Sequence, residues 1–104
     1  MKTVVVPGPC KFRTTISVEK IDRKTATATV ESECPFYNGI SEELENLDVN
    51  IELFGKLSEG RVYAACKEHA KHTTCSVAIG ILKAIEAEFK FALPTTATIE
   101  FIED

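Results

Sequence analysis

Between Phe12 and Lys20 apolar and polar positions alternate, with Phe12, Thr14, Ile16 and Val18 on one side and Arg13, Thr15, Ser17 and Glu19 on the other. A period of two predicts a half-buried strand. Alternation returns from Thr25 to Ser32, where Ala26, Ala28 and Val30 oppose Thr25, Thr27, Thr29 and Glu31. A β-branched run over residues 3–6 precedes this pair and is closed by Pro7, Gly8 and Pro9, a strong turn signal. Residues 96–102 alternate once more and predict a final strand, with Ala97, Ile99 and Phe101 on one side.

Helical spacing takes over elsewhere. Val62, Ala65, Cys66 and His69 recur at i, i+3, i+4 and i+7, one face of a helix. From about Cys75 to Lys90 the positions Ala78, Ile81, Leu82, Ile85 and Phe89 form an apolar stripe; Thr73 or Thr74 can cap its start, and Pro94 lies just past its end. Ser41 can cap a shorter helix through Glu42, Glu43, Leu44 and Leu47, with its acidic residues where the dipole favours them. Residues 48–54 fit either a strand or a turn of helix.

The two central strands form a hairpin whose register must bring the buried faces together. Pairing Ile16 with Ala28 and Val18 with Ala26 centres the turn on Asp22 and places Cys10 directly opposite Cys34. Directly opposed side chains have Cβ atoms roughly 4.5–5.5 Å apart. Two thiols are thus expected together at the open end of the hairpin, where Pro9 and Pro35 end the ladder.

Length and charge narrow the function. A chain of 104 residues with 44% hydrophobic content fits one domain with a real core. Its four cysteines are therefore not needed as structural staples. The start has one lysine and a three-valine run before Pro7, too little for an export signal. Val77 to Leu93 is broken by Lys83, Glu86, Glu88 and Lys90, which excludes a membrane span. A cytoplasmic setting is expected, where thiols serve as metal ligands, redox centres or small buried hydrophobes more often than as disulfides. Net charge is -4 with no basic cluster interleaved with aromatics, so nucleic acid is not an expected partner. A protein partner is compatible with the sequence, which specifies no oligomeric state.

The cysteines and histidines are the residues with the makings of a chemical site. Cys10 and Cys34 come together through the hairpin, and Cys66 and His69 share a helical face. Cys75 sits at or near a helix N-terminus with Lys67, Lys71 and His72 nearby, surroundings that favour thiolate, the form that binds metal or attacks a disulfide. The wide spacing is not that of a zinc finger, whose close pairs let one turn present two sulfurs. Buried cysteines also serve simply as small hydrophobes, so Cys66 and His69 equally fit a packed core, and His72 a loop. Phosphate-cradling glycine motifs are absent. Glu42, Glu43 and Glu45 read as a solvated face.

The segment from Cys66 to Pro94, taken with Cys10 and Cys34-Pro35, resembles a family of small uncharacterised proteins from anaerobic microbes, and this likeness covers nearly the whole chain. It implies no activity. Thr73-Thr74-Cys75-Ser76 opening the long helix, with Cys34 after a hairpin, is more distantly similar to TSCPD domains. That resemblance implies metal binding through Cys34, Cys66 and Cys75, although Ser76 and Val77 stand where those domains have proline and aspartate. The order of hairpin then helices also resembles iron-sulfur scaffold proteins of the IscU kind, a likeness of architecture alone.

These readings predict an α+β domain, a three- or four-stranded, mainly antiparallel sheet with two or three helices on one face. The expected function is non-enzymatic binding of zinc or an iron-sulfur cluster by Cys10, Cys34, Cys66 and Cys75, with His69 and His72 as reserve ligands. The alternatives are a thiol-redox protein, with Cys75 attacking and Cys66 or the hairpin pair resolving, and a metal-free interaction module with packed cysteines.

Overall fold

Thr14, Ile16 and Val18 are buried and their neighbours are not, as half-buried strands require. The computed structural model describes residues 1–103. Four strands, β1 (Lys2–Val5), β2 (Thr14–Lys20), β3 (Thr25–Ser32) and β4 (Leu47–Asp48), form one antiparallel sheet in the order β1-β2-β3-β4. Helices α1 (Val49–Phe54), α2 (Arg61–His69) and α3 (Val77–Glu88) complete an α+β fold. Val77, Ala78, Ile81, Ala84 and Ile85 of α3 are buried in the same core as Val5, Ile16, Val18, Ala26 and Ala28 of the strands. The apolar stripe of the long helix thus covers the sheet.

The hairpin register differs from the expected one. Ile16 pairs with Val30 and Val18 with Ala28, two residues further along β3. A slip of two keeps every side chain on its own face, so burial admits both registers and the turn decides between them. Asp22 opens the loop rather than centring it. Its carboxylate accepts from Lys24 N at 2.8 Å, while Ile21 N and Asp22 N donate to Thr25 O at 2.9 and 3.3 Å. Aspartate favours this place because its side chain bonds the backbone two residues on.

The slip moves the open end. The ladder stops at Thr14 and Ser32, one further bond running from Glu33 N to Arg13 O at 3.0 Å. Phe12 lies outside β2 and is exposed.

Ser41 does not cap a helix. Residues Ile40–Glu43 make only a 3-10 turn entered from Gly39, and Ser41 Oγ accepts from Val30 N at 2.9 Å. Ala28 N donates to Leu44 O at 3.0 Å, so this segment satisfies the free edge of β3 instead. Residues 47–54, open in the sequence, become both elements: Leu47–Asp48 pairs with β3, and Asp48 then caps α1 by accepting from Asn50 N and Ile51 N. A cap absent from the sequence pattern starts α2, where the Glu52 carboxylate of α1 accepts from Arg61 N at 2.8 Å and Val62 N at 2.9 Å.

Residues 96–103 are not a strand in this structure. They carry no regular structure and stand in solvent, Ile99 89% and Phe101 99% exposed. The turn after α3 accounts for their course. Lys90 takes a positive φ of 61°, and Phe91 packs edge-on against Phe54 of α1 with ring centroids 5.1 Å apart. That contact joins the turn after α3 to α1.

Candidate thiol site

All four cysteines are free; one bonds the Tyr37 phenol and two more lie near enough to act on it. Cys34 follows β3 and precedes the 3-10 turn Pro35–Tyr37, a turn that Pro35 favours because it needs no N–H there. Cys34 O accepts from Tyr37 N at 3.2 Å, which swings the Tyr37 ring into the core. Cys66 comes from the buried face of α2. Cys75 lies in the turn before α3, its N–H donating to His72 O at 3.2 Å. Thr73 and Thr74 do not cap α3; Ser76 holds the cap position without a side-chain bond.

The Tyr37 hydroxyl donates to Cys75 Sγ at 2.8 Å. Burial, and then the bond to Cys75, hold the phenol well above its ordinary value, and the nearness of Cys66 and Cys34 adds to the effect. Tyr37 therefore keeps its proton and always presents a donor to the sulfur. Burial likewise pushes the Cys66 thiol up to about 12, with Cys75 and Glu43 contributing. Cys34 and Cys75 are only partly buried and pack against the core. Solvent reaches them and scarcely reaches Cys66.

Cys10 does not face Cys34. It occupies an exposed turn closed by Lys11 N donating to Gly8 O at 3.0 Å, and the ladder that was to carry it has ended at Thr14. With the observed register Cys34 stands level with Phe12, not Cys10. The expected hairpin pair is therefore not formed.

His69 is engaged on both ring nitrogens. Nδ1 donates to Phe36 O at 3.1 Å, and Nε2 pairs with the Glu43 carboxylate. Both neighbours are acceptors, so the ring suits the doubly protonated form, and the bond to Glu43 above all raises its pKa from 6.5. With both nitrogens used, the ring ties α2 to the segment before β4. His72 is exposed in the loop ahead of Cys75. Among the described residues, no three His, Cys, Asp or Glu side chains are grouped so as to hold a metal ion. A surface cleft of about 670 Å³ lies beside α2, lined by Glu43, Arg61, Ala64, Ala65, Glu68 and His69, and none of the cysteines opens into it.

Tyr37 is the participant that sequence reasoning missed. Its signal was position: an aromatic hydroxyl three residues after Cys34, behind a proline that makes the turn. No described helix is long and apolar enough to cross a membrane. Residues 1–101 match the model of a family of unknown function (DUF6951). No curated protein and no solved structure matches the chain.

Proposed function

The chain belongs to that family, whose description assigns no role, and from its own side chains we propose that it is a thiol protein acting through Cys75. The observation that carries this reading is the Tyr37 hydroxyl aimed at Cys75 Sγ. A donor that never ionises in the working range stabilises sulfur that carries negative charge, and charge-assisted hydrogen bonds are the strong ones. The position of Cys75 just ahead of α3 acts in the same direction.

The reaction that fits is exchange with a disulfide, on a small molecule or a protein partner. The Cys75 thiolate attacks one sulfur of the target; the target's S–S bond breaks, and its other sulfur leaves as thiolate and takes a proton from water. A mixed disulfide then joins Cys75 to the target. Cys34, the other partly exposed thiol of the cluster, loses its proton to water and attacks Cys75 Sγ, and the remaining target sulfur leaves as thiolate and takes a proton from water. Two electrons pass from Cys34 and Cys75 to the target, and an external dithiol restores the pair. Cys66, held protonated, packs and does not react. Such chemistry suits a reducing compartment such as the cytoplasm.

The test is glutathione disulfide followed by mass spectrometry. Wild-type protein should lose the Cys34 and Cys75 thiols together, Cys34→Ser should trap glutathione on Cys75, and Cys66→Ala should behave as wild type. Paired thiol loss persisting in Cys75→Ser would overturn the proposal.

A second reading is favoured by the convergence of three sulfurs on Tyr37: zinc or an iron-sulfur cluster held by Cys34, Cys66 and Cys75. The donor set is soft enough for either. Their present arrangement does not form a ligand cage, and Cys66 would first have to surrender a tightly held proton. Metal analysis and an absorption spectrum of anaerobically purified protein separate the two, since bound metal should protect all three thiols at once.

A further inference from the structure

β1 is an edge strand, and its register shows which of its backbone groups are unused. Met1 and Val18 exchange both bonds, Met1 N to Val18 O at 3.2 Å and Val18 N to Met1 O at 2.8 Å. Hydrogen-bonded and non-hydrogen-bonded pairs alternate along an antiparallel ladder. Thr3 and Val5 therefore also bond to β2, while the N–H and C=O groups of Lys2 and Val4 point outward from the sheet. Among the described residues no other strand pairs with this edge. An open edge of this kind is a template for another strand.

The same chain carries a segment with a strand's pattern and no sheet. Residues 95–103 read Thr-Thr-Ala-Thr-Ile-Glu-Phe-Ile-Glu, rich in β-branched residues, and their large apolar side chains are almost wholly in water. Phe91, held against Phe54 of α1, starts the segment, and the four-stranded sheet of its own chain does not receive it. Charge is complementary: Glu100 and Glu103 lie on the segment, whereas Lys2 lies on the edge.

We propose that residues 95–103 of one copy add as a strand to the β1 edge of a second copy, making a two-fold dimer in which each chain gives one strand and receives one. Each chain offers one donor segment and one acceptor edge, and a two-fold axis between two copies satisfies both at once. Main-chain bonds at Lys2 and Val4 supply the pairing, and burial of Ile99 and Phe101 supplies the apolar contact.

Light scattering after size exclusion reads the outcome. Wild type should show twice the chain mass. The double variant Ile99→Asp, Phe101→Asp should run as a monomer with its thermal melt intact, because neither side chain belongs to the core. Val4→Pro should also be monomeric, since proline removes an outward N–H and spares the bonds to β2. Should Val4→Pro fail to fold, Lys2→Glu should weaken the dimer and the added Glu100→Lys should restore it. Mixing the Val4→Pro chain, which keeps its segment, with the Ile99→Asp, Phe101→Asp chain, which keeps its edge, should give a weaker dimer joined by the one strand addition still open to it. A monomeric wild type would overturn the proposal, whether its segment is free or folded onto its own β1. So would a dimer that survives in both Val4→Pro and Lys2→Glu, which would mean that the segments pair with each other.

Discussion

Gly80 is where α3 crosses the sheet, and replacing it tests how closely the long helix must approach. A Cβ built there overlaps Cγ2 of Val5 and comes within 3.0 Å of Cδ1 of Ile16. Thr3 Oγ1 donates to Gly80 O at 2.9 Å at the same crossing, so the helix cannot simply slide off. Alanine in a helix interior is favoured over glycine by about 0.5–1 kcal/mol. Against that, forcing a methyl into a filled core costs about 1–3 kcal/mol, and Val5 is β-branched and stiff. Gly80→Ala should therefore lose about 1 kcal/mol net, a fall in Tm of roughly 4–8 °C for a domain of this size. Val5→Ala alone should cost about 2 kcal/mol, from two buried methyl groups and the space they leave. In that background the alanine methyl at position 80 occupies the space and keeps its helical advantage, so the double variant should be about 1–2 kcal/mol more stable than the sum of the singles predicts. Thermal melts of the four proteins measure this. A Gly80→Ala variant more stable than wild type, or strict additivity, would refute the close approach.

Other measurements address the remaining elements. Asp48→Ala removes the acceptor for Asn50 N and Ile51 N and should destabilise the fold by about 1 kcal/mol, read from chemical denaturation. Stability should fall as pH rises from about 9 towards about 12, because unfolded Cys66 ionises in that window and folded Cys66 does not; Cys66→Ala should flatten part of this slope. His69 has a folded pKa raised above 6.5, so its pairing with Glu43 stabilises fully below that value and is lost as pH climbs through the raised one. Both side chains are partly solvated, so the effect should be about 0.5 kcal/mol, and Glu43→Gln should abolish it in a pH series of melts. Thr14→Val strips the hydroxyl that bonds Ser32 Oγ at 2.7 Å and should cost about 1 kcal/mol in the same assay.

Elements with a strong period were legible in the sequence, and those resting on exchanged partners were not. β3 and the buried stripe of α3 follow directly from alternation and from helical spacing, because one face must leave water whatever surrounds it. Ser41 misled because a hydroxyl that can cap a helix can equally accept from a strand; Val30 N was the nearer orphan, and residues 40–43 closed as a 3-10 turn. Residues 96–102 show the opposite failure. Their pattern is that of a strand, but pattern states only what a segment can pair as, and no edge of its own sheet receives it.

The thiol site failed and succeeded for related reasons. Cys66 was placed by α2, whose burial fixes the side it takes, and Cys75 by the turn leading into α3, and both lie near Tyr37. The Cys10–Cys34 pair rested on a register inferred from buried faces alone, and faces repeat every two residues. The Asp22 turn shifted the pairing by one such repeat, enough to leave Cys10 in a solvent turn while Cys34 stayed beside the core. Cys34 kept its place because Pro35 and the 3-10 turn hold it locally, independent of what lies across the hairpin. That same turn carries Tyr37 inward to meet Cys75. The chemistry therefore depends on a proline-initiated turn of three residues: loosening it through Pro35→Gly should lower the melt by a few degrees, since the unfolded chain gains freedom, and should slow Cys75 towards glutathione disulfide at temperatures where the variant is folded, whereas an unchanged rate would show that the phenol is a bystander.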